Sequence, residues 1–243
     1  MDRMALLTKA RSGIDGFDEL LLGGLPRGQT VLVTGGTGTG KSTFAMQFVY
    51  KGAKMYDEPG IYVTMEEKIP SVIRNASSYG WDLEDLQKKD KIALVDLSPA
   101  VAGQIRKIEP SDIYSTIYSH WKRIGAKRIA IDPITVLGFQ TESLLQLRTD
   151  LLRFSSMLKE LDATFLYVTE IPEDSSGLSR FGVEEFISDG VIVLYYSRVG
   201  GMRFRGVEVR KMRGTQHKEG TFAMKMGEGG LAVVPNAKIP KLA

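Results

Sequence analysis

The chain has 243 residues, 43% of them hydrophobic and 25% charged, enough to enclose one large core or two small ones. With no cysteine and only two histidines, His120 and His217, disulfides and thiolate-held metals are excluded and a histidine-rich zinc site is disfavoured. A net charge of +3 without long Lys/Arg runs selects neither a nucleic-acid tail nor a polybasic membrane anchor.

The patch Met4-Ala5-Leu6-Leu7 is too brief for a signal-peptide core, and no run approaches the roughly 20 apolar residues of a spanning helix. A soluble, cytoplasmic protein without membrane contact is expected. Gly13 to Leu21 has the spacing of a short amphipathic helix, and Gly23 to Gly28 reads as a turn into a first strand, Thr30 to Thr34. A helix is expected over Ser42 to Tyr56, then a strand Gly60 to Met65, a helix Ser71 to Tyr79 and a strand Lys91 to Leu97. Two prolines, a glycine and little periodicity make Ser98 to Pro110 a loop. Helix Ile113 to Gly125, strand Arg128 to Asp132, helix Leu144 to Leu161 and strand Thr164 to Thr169 follow.

After Gly190 the texture changes to Val191–Tyr196, Val207–Arg210 and Thr221–Met226 with glycines between, which reads as strands joined by turns. The expected fold class is α/β: a mostly parallel sheet flanked by helices, extended by antiparallel C-terminal strands. One domain accounts for residues 1–243, with a lead-in over 1–28, a core over 29–198 and a β-rich extension over 199–243.

Between the first strand and the helix after it lies Gly35-Gly36-Thr37-Gly38-Thr39-Gly40-Lys41-Ser42-Thr43, a complete G-x-x-x-x-G-K-[ST] phosphate loop. Its glycines let the backbone wrap a polyphosphate with N–H groups and the positive helix end pointing inward. Lys41 is then placed for the β/γ-phosphates and the Ser42 hydroxyl for Mg²⁺. A Lys-Ser pair directly after the last glycine has no purpose in a plain turn.

Hydrolysis needs more than a cradle: a carboxylate that helps hold metal, and a group that activates water. Asp132 ends an apolar strand, at the sheet edge where open α/β folds bind ligands; the competing reading is a turn-opening aspartate before Pro133. Glu66 and Glu67 end the strand after the P-loop helix. Where the adjacent strand carries the P-loop, that edge faces the γ-phosphate and a carboxylate there could serve as general base; the alternative is a solvated pair favouring the next helix N-terminus. Lys211 and Arg213, two apart on a strand, project to one side, either as a solvated strand end or as a finger reaching a phosphoryl group across a subunit interface.

Taken together, these motifs resemble the KaiC-like, RecA-superfamily ATPases, most closely the single-domain archaeal type. The resemblance runs over nearly the whole length, through Gly13–Asp18, Gly23–Gly28, the P-loop, Glu66-Glu67, Ile131-Asp132, Ser179–Phe186 with Asp189-Gly190, and Lys211–Gly214. It implies a RecA-type core whose ATP sits between subunits of a homo-oligomeric, six-membered ring. By motif, Glu66 and Glu67 become the catalytic glutamates, Asp132 the Walker B aspartate, and Lys211 and Arg213 the residues that reach the neighbour's γ-phosphate. In the circadian members a Ser-Thr pair is phosphorylated shortly before the aspartate matching Asp189; Glu185 and Phe186 stand here, so autokinase activity at that site is not expected. A two-tier clock hexamer is not expected from one copy of the domain either.

The expected function is a slow, Mg²⁺-dependent ATPase whose cycle sets the state of a ring and signals to an unidentified protein partner. An alternative is a nucleic-acid-dependent ring ATPase or recombination accessory factor of the RecA/RadA kind. That reading draws on the loop Ile171 to Gly182, where Arg180 and Phe181 could meet phosphate and base, although Glu170, Glu173 and Asp174 oppose it. A nucleotide-gated scaffold that hardly hydrolyses ATP fits poorly with an intact Glu66-Glu67 pair.

Overall fold

The computed structural model describes residues 8–98, 109–139, 141, 143–173, 175, 177–199 and 202–239. All but the ends of the loop expected over Ser98 to Pro110 lies outside them, and Pro110 itself opens a helix. A two-stranded ribbon, β1 (Lys9–Ala10) with β2 (Leu25–Pro26), precedes the main sheet. The strands of that sheet are β3 (Thr30–Gly35), β4 (Gly60–Thr64), β5 (Ile92–Asp96), β6 (Arg128–Asp132), β7 (Thr164–Val168), β8 (Gly190–Val199), β9 (Met202–Met212), β10 (Thr221–Gly227) and β11 (Gly230–Ile239). Their order is β11-β10-β9-β8-β3-β7-β6-β4-β5. Pairing is parallel from β8 to β5 and antiparallel from β8 to β11, as the change in sequence texture at Gly190 indicates.

Helices cover both faces: α1 (Lys41–Met55), α2 (Ile69–Ser77), α3 (Leu83–Lys88), α4 (Pro110–Ile124), α5 (Val136–Phe139), α6 (Leu144–Leu158) and α7 (Glu184–Ile187). Period-two alternation sorts the strand side chains. Val31, Val33, Tyr62, Ala130, Leu166 and Val168 face one core with Phe44, Phe48 and Val49 of α1. Leu32, Ile61, Val63, Ile131, Phe165 and Tyr167 face the other, with Ile113 and Ile117 of α4 and Leu147, Leu151 and Phe154 of α6. A sheet buried on both faces explains why the central strands read as unbroken apolar runs.

Two expectations need correction. Gly13 to Leu21 is not a continuous helix; only Asp18–Leu21 forms a 3₁₀ turn. Gly16 has φ +73°, and a Cβ there would lie 2.1 Å from the Val233 carbonyl oxygen, so this segment turns sharply to touch β11. Helix α6 ends at Leu158 rather than Leu161, because the Ser155 and Met157 carbonyls close its last turn onto Lys159. Among the described residues no helix is long and apolar enough to cross a membrane.

Candidate nucleotide site

The carboxyl edge of the parallel strands is level. Gly35 pairs with Leu194, and Thr64 pairs with both Asp132 and Asp96. Backbone bonds continue past the strands: Thr169 N–H donates to the Val33 carbonyl (3.0 Å), Ile171 N–H to Gly35 (3.1 Å) and Met65 N–H to Asp132 (2.9 Å). Residues at four strand ends therefore converge on one line beside the P-loop.

The P-loop turns from β3 into α1 through Gly40, whose φ of +103° closes the loop onto the helix without a side chain in the way. Thr39 Oγ1 donates to the Gly36 carbonyl (2.9 Å), and Lys41 Nζ folds back to the same carbonyl (2.9 Å). Ser42 is exposed at the start of α1, while Thr37 and Gly38 form the open rim. Burial lowers the Lys41 pKa, opposed by the negative charges of Asp132 and Glu170. Arg205 of β9, stacked 4.0 Å over the Tyr196 ring, donates to the Gly38 carbonyl at 2.5 Å and steadies the rim.

Asp132 is buried and accepts a hydrogen bond from the Tyr62 hydroxyl at 2.5 Å. Burial raises its pKa, while hydrogen bonds from Tyr62 and Ser42 and the charge of Lys41 pull it back down. The sequence pointed to Asp132 through its position at a strand end; Tyr62 escaped notice inside an apolar run. A buried tyrosine whose hydroxyl needs a partner was the available signal.

Glu66 and Glu67 both follow β4, but β4 is not the neighbour of β3; β7 and β6 lie between them. The level edge still brings Glu66 near the site. Partial burial of its carboxyl, then the charges of Glu170, Asp132 and Glu67, raise the Glu66 pKa. The Glu67 carboxylate accepts from Asn75 Nδ2 at 3.3 and 3.4 Å, and both residues line the cavity beside Ser42. Between α1 and α2 a cavity of about 240 Å³ opens beside Ser42 and Thr43, walled by Val72, Tyr79 and Trp81. Neither Asn75 nor this cavity, nor Glu170 at the end of β7, was singled out for the site from the sequence.

Lys211 and Arg213 are not in this cluster. Lys211 pairs with Val191 near the start of β8, and its Nζ donates to the carbonyls of Glu185 (3.1 Å) and Ser188 (2.6 Å). Arg213 N–H donates to the Asp189 carbonyl (3.0 Å), its guanidinium lies 3.5 Å from the Asp189 carboxylate, and Asp189 N–H donates to Thr30 at the first residue of β3. Arg213 thus sits at the amino edge of the sheet, level with the start of β3, and the Lys211 ammonium is drawn toward the same edge by Ser188, away from the P-loop. Of Arg180 and Phe181, the proposed nucleic-acid contacts, Phe181 packs edge-on against Phe139, and Arg180, though exposed, pairs with Glu170.

The family described as "ATPase: KaiC" matches residues 10–238. The circadian clock oscillator protein KaiC of Parasynechococcus marenigrum is 39% identical over 229 residues, covering 93% of this chain and 45% of that protein. That of Synechococcus elongatus is 37% identical over 231 residues, covering 94% and 44%. The chain spans about half the length of these curated relatives. Among solved structures, a KaiC-like protein from the hyperthermophilic archaeon Pyrococcus horikoshii superposes with a TM-score of 0.84 at 42% identity, covering 94% of this chain and 100% of that one. The P-loop, the level edge of carboxylates and these matches agree: the chain belongs to the KaiC family of RecA-superfamily ATPases.

Proposed function

We propose that this protein binds MgATP and hydrolyses it slowly at sites shared between neighbouring copies of the chain in a six-membered ring, and that the cycle signals to a protein partner. The observation that carries the reading is the position of Lys211 and Arg213. Asp132 and Glu170 act on Lys41 and Glu66 lies near both; Arg180 pairs with Glu170, which leaves Lys41 to balance Asp132 and Glu66, while two further cations sit at the opposite sheet edge. A neighbour in a ring could supply that missing positive charge.

In this scheme the backbone of residues 36–40 and the N-terminus of α1 cradle the polyphosphate, and Lys41 exchanges the Gly36 carbonyl for terminal phosphate oxygens. The cavity beside Thr43, Val72 and Tyr79 receives the base. The Ser42 hydroxyl and the Asp132 carboxylate form an all-oxygen donor set suited to a hard divalent cation that keeps most of its waters, so the residues fit Mg²⁺. When bound, Mg²⁺ neutralises phosphate charge. Glu66, with its proton affinity raised, accepts the proton of the attacking water, and Glu67 is steadied by Asn75 as the second member of the pair. Lys211 and Arg213 of the neighbouring copy balance charge on the transferring phosphoryl group. The nucleic-acid-dependent alternative has less support, since Arg180 is engaged with Glu170.

Subunit mixing tests the shared site. Lys41→Ala and Lys211→Ala/Arg213→Ala proteins should each be inactive alone, while an equimolar mixture regains about a quarter of the wild-type rate, because random assembly gives that share of intact interfaces. Mixed rings, verified by two affinity tags, that show no recovered phosphate release would sink the proposal.

A further inference from the structure

Glu170 occupies a position that the P-loop strand itself fixes. The residues on either side of it are hydrogen-bonded to β3: Thr169 N–H to Val33 and Ile171 N–H to Gly35. Its charge reaches both Lys41 and Glu66. Its partner is Arg180, whose Nη1 lies 2.6 Å from Glu170 Oε1 and whose guanidinium lies 5.2 Å from the centroid of the Phe139 ring.

The segment carrying Arg180 is fastened on all sides. The Thr34 hydroxyl, on the P-loop strand, donates to the Leu178 carbonyl (2.6 Å). Buried Glu184 accepts from Thr169 Oγ1 (3.1 Å), Ser179 Oγ (2.8 Å) and the Val183 N–H (3.1 Å). Phe181 lies so close to Gly138 that a Cβ there would come within 2.1 Å of its ring. Arg180 is therefore held over Glu170 by the same frame that holds the ends of β3 and β7.

We propose that Glu170 and Arg180 form a charge latch that sets how strongly the site prefers ATP over ADP: Glu170 is a specificity determinant beside the γ-phosphate position, and Arg180 is a positioning residue that neutralises it. The inference rests on the reading of this site as an ATP site. Lys41 already answers to Asp132 as well as Glu170, so a Glu170 without Arg180 would repel the γ-phosphate, the group that ADP lacks. One unit charge acting over roughly 6 Å at an effective dielectric of about 40 corresponds to about tenfold in affinity. The pair is partly exposed, so added salt should shrink the effect.

The test compares dissociation constants, by titration calorimetry with Mg²⁺ present, for the β,γ-imido analogue of ATP and for ADP. Arg180→Ala should weaken the analogue about tenfold and change ADP less than about twofold. Arg180→Lys, which keeps the charge, should restore most of the preference. Glu170→Gln, which leaves Arg180 unpaired, should tighten the analogue, and Glu170→Gln/Arg180→Ala, with both charges gone, should return to the wild-type preference rather than that of Arg180→Ala. Equal losses for both nucleotides in Arg180→Ala, or a double variant as weak as Arg180→Ala, would overturn the latch. If Arg180→Ala does not fold, an unchanged ATP-to-ADP preference in Glu170→Gln would overturn it as well. Wild-type protein that binds neither nucleotide would instead overturn the ATP reading itself.

Discussion

Replacing Asp132 by asparagine should make the nucleotide-free protein more stable at neutral pH while removing Mg²⁺-dependent hydrolysis. Asp132 is buried, and its pKa is raised by that burial despite hydrogen bonds from Tyr62 and Ser42 and the charge of Lys41. The folded state holds the proton more tightly than the unfolded chain does. The carboxyl therefore favours folding at low pH, becomes a growing cost as pH rises past the ordinary aspartate value of about 3.9, and reaches its full cost above the raised folded value. Asparagine keeps an oxygen to accept from Tyr62 and has no charge to bury. Removal of such a cost typically returns about 0.5–2 kcal/mol, which for a domain of this size raises Tm by about 1–8 °C. The assay is urea or thermal unfolding with a chelator present, at several pH values between about 4 and 8. The two proteins should converge at the acid end. An Asp132→Asn variant less stable than wild type at neutral pH, or a difference that stays flat with pH, would refute the reasoning.

Tyr62→Phe tests the same pair from the other side: loss of the 2.5 Å bond to a buried carboxylate should destabilise by about 1.5–3 kcal/mol in denaturant titration. Glu184→Ala leaves the Thr169 hydroxyl and the Val183 N–H without their acceptor, and Ser179 with Glu185 alone, and should cost about 1–3 kcal/mol; a change under about 0.5 kcal/mol would show that the loop is not held this way. If Glu66 is the general base, hydrolysis requires it ionised, so the rate should fall as pH drops through a value above the ordinary glutamate range. Glu170→Gln removes one of the charges that raises this pKa and should move that acid limb to lower pH; a limb unmoved by the substitution argues against Glu66.

Much of the architecture was legible because both sheet faces are buried, which turns β3, β6 and β7 into apolar runs with sharp polar ends. Asp132 could be found for the same reason. Short elements were invisible: α3, α5 and α7 have six, four and four residues, less than the span over which helical periodicity shows. Glu170 was passed over because its relation to the P-loop depends on β7 lying next to β3, and alternation of strands and helices does not fix strand order. The same ignorance of order made β4 look like a neighbour of the P-loop strand. Gly16 illustrates a different limit, since its positive φ answers to a contact with β11 at the far end of the chain.

Strand β3 begins where Arg213 is anchored, at Thr30 and Asp189, and ends in the P-loop. Six residues of extended chain, roughly 20 Å, join the two with hydrogen-bonded strands on both sides and no hinge. In the proposed ring such a strand would act as a push-rod, its P-loop end and its Arg213 end moving as one body. A change of nucleotide at a single site would then be passed around the circle mechanically, with the stiffness of the sheet setting how faithfully each subunit hears its neighbour.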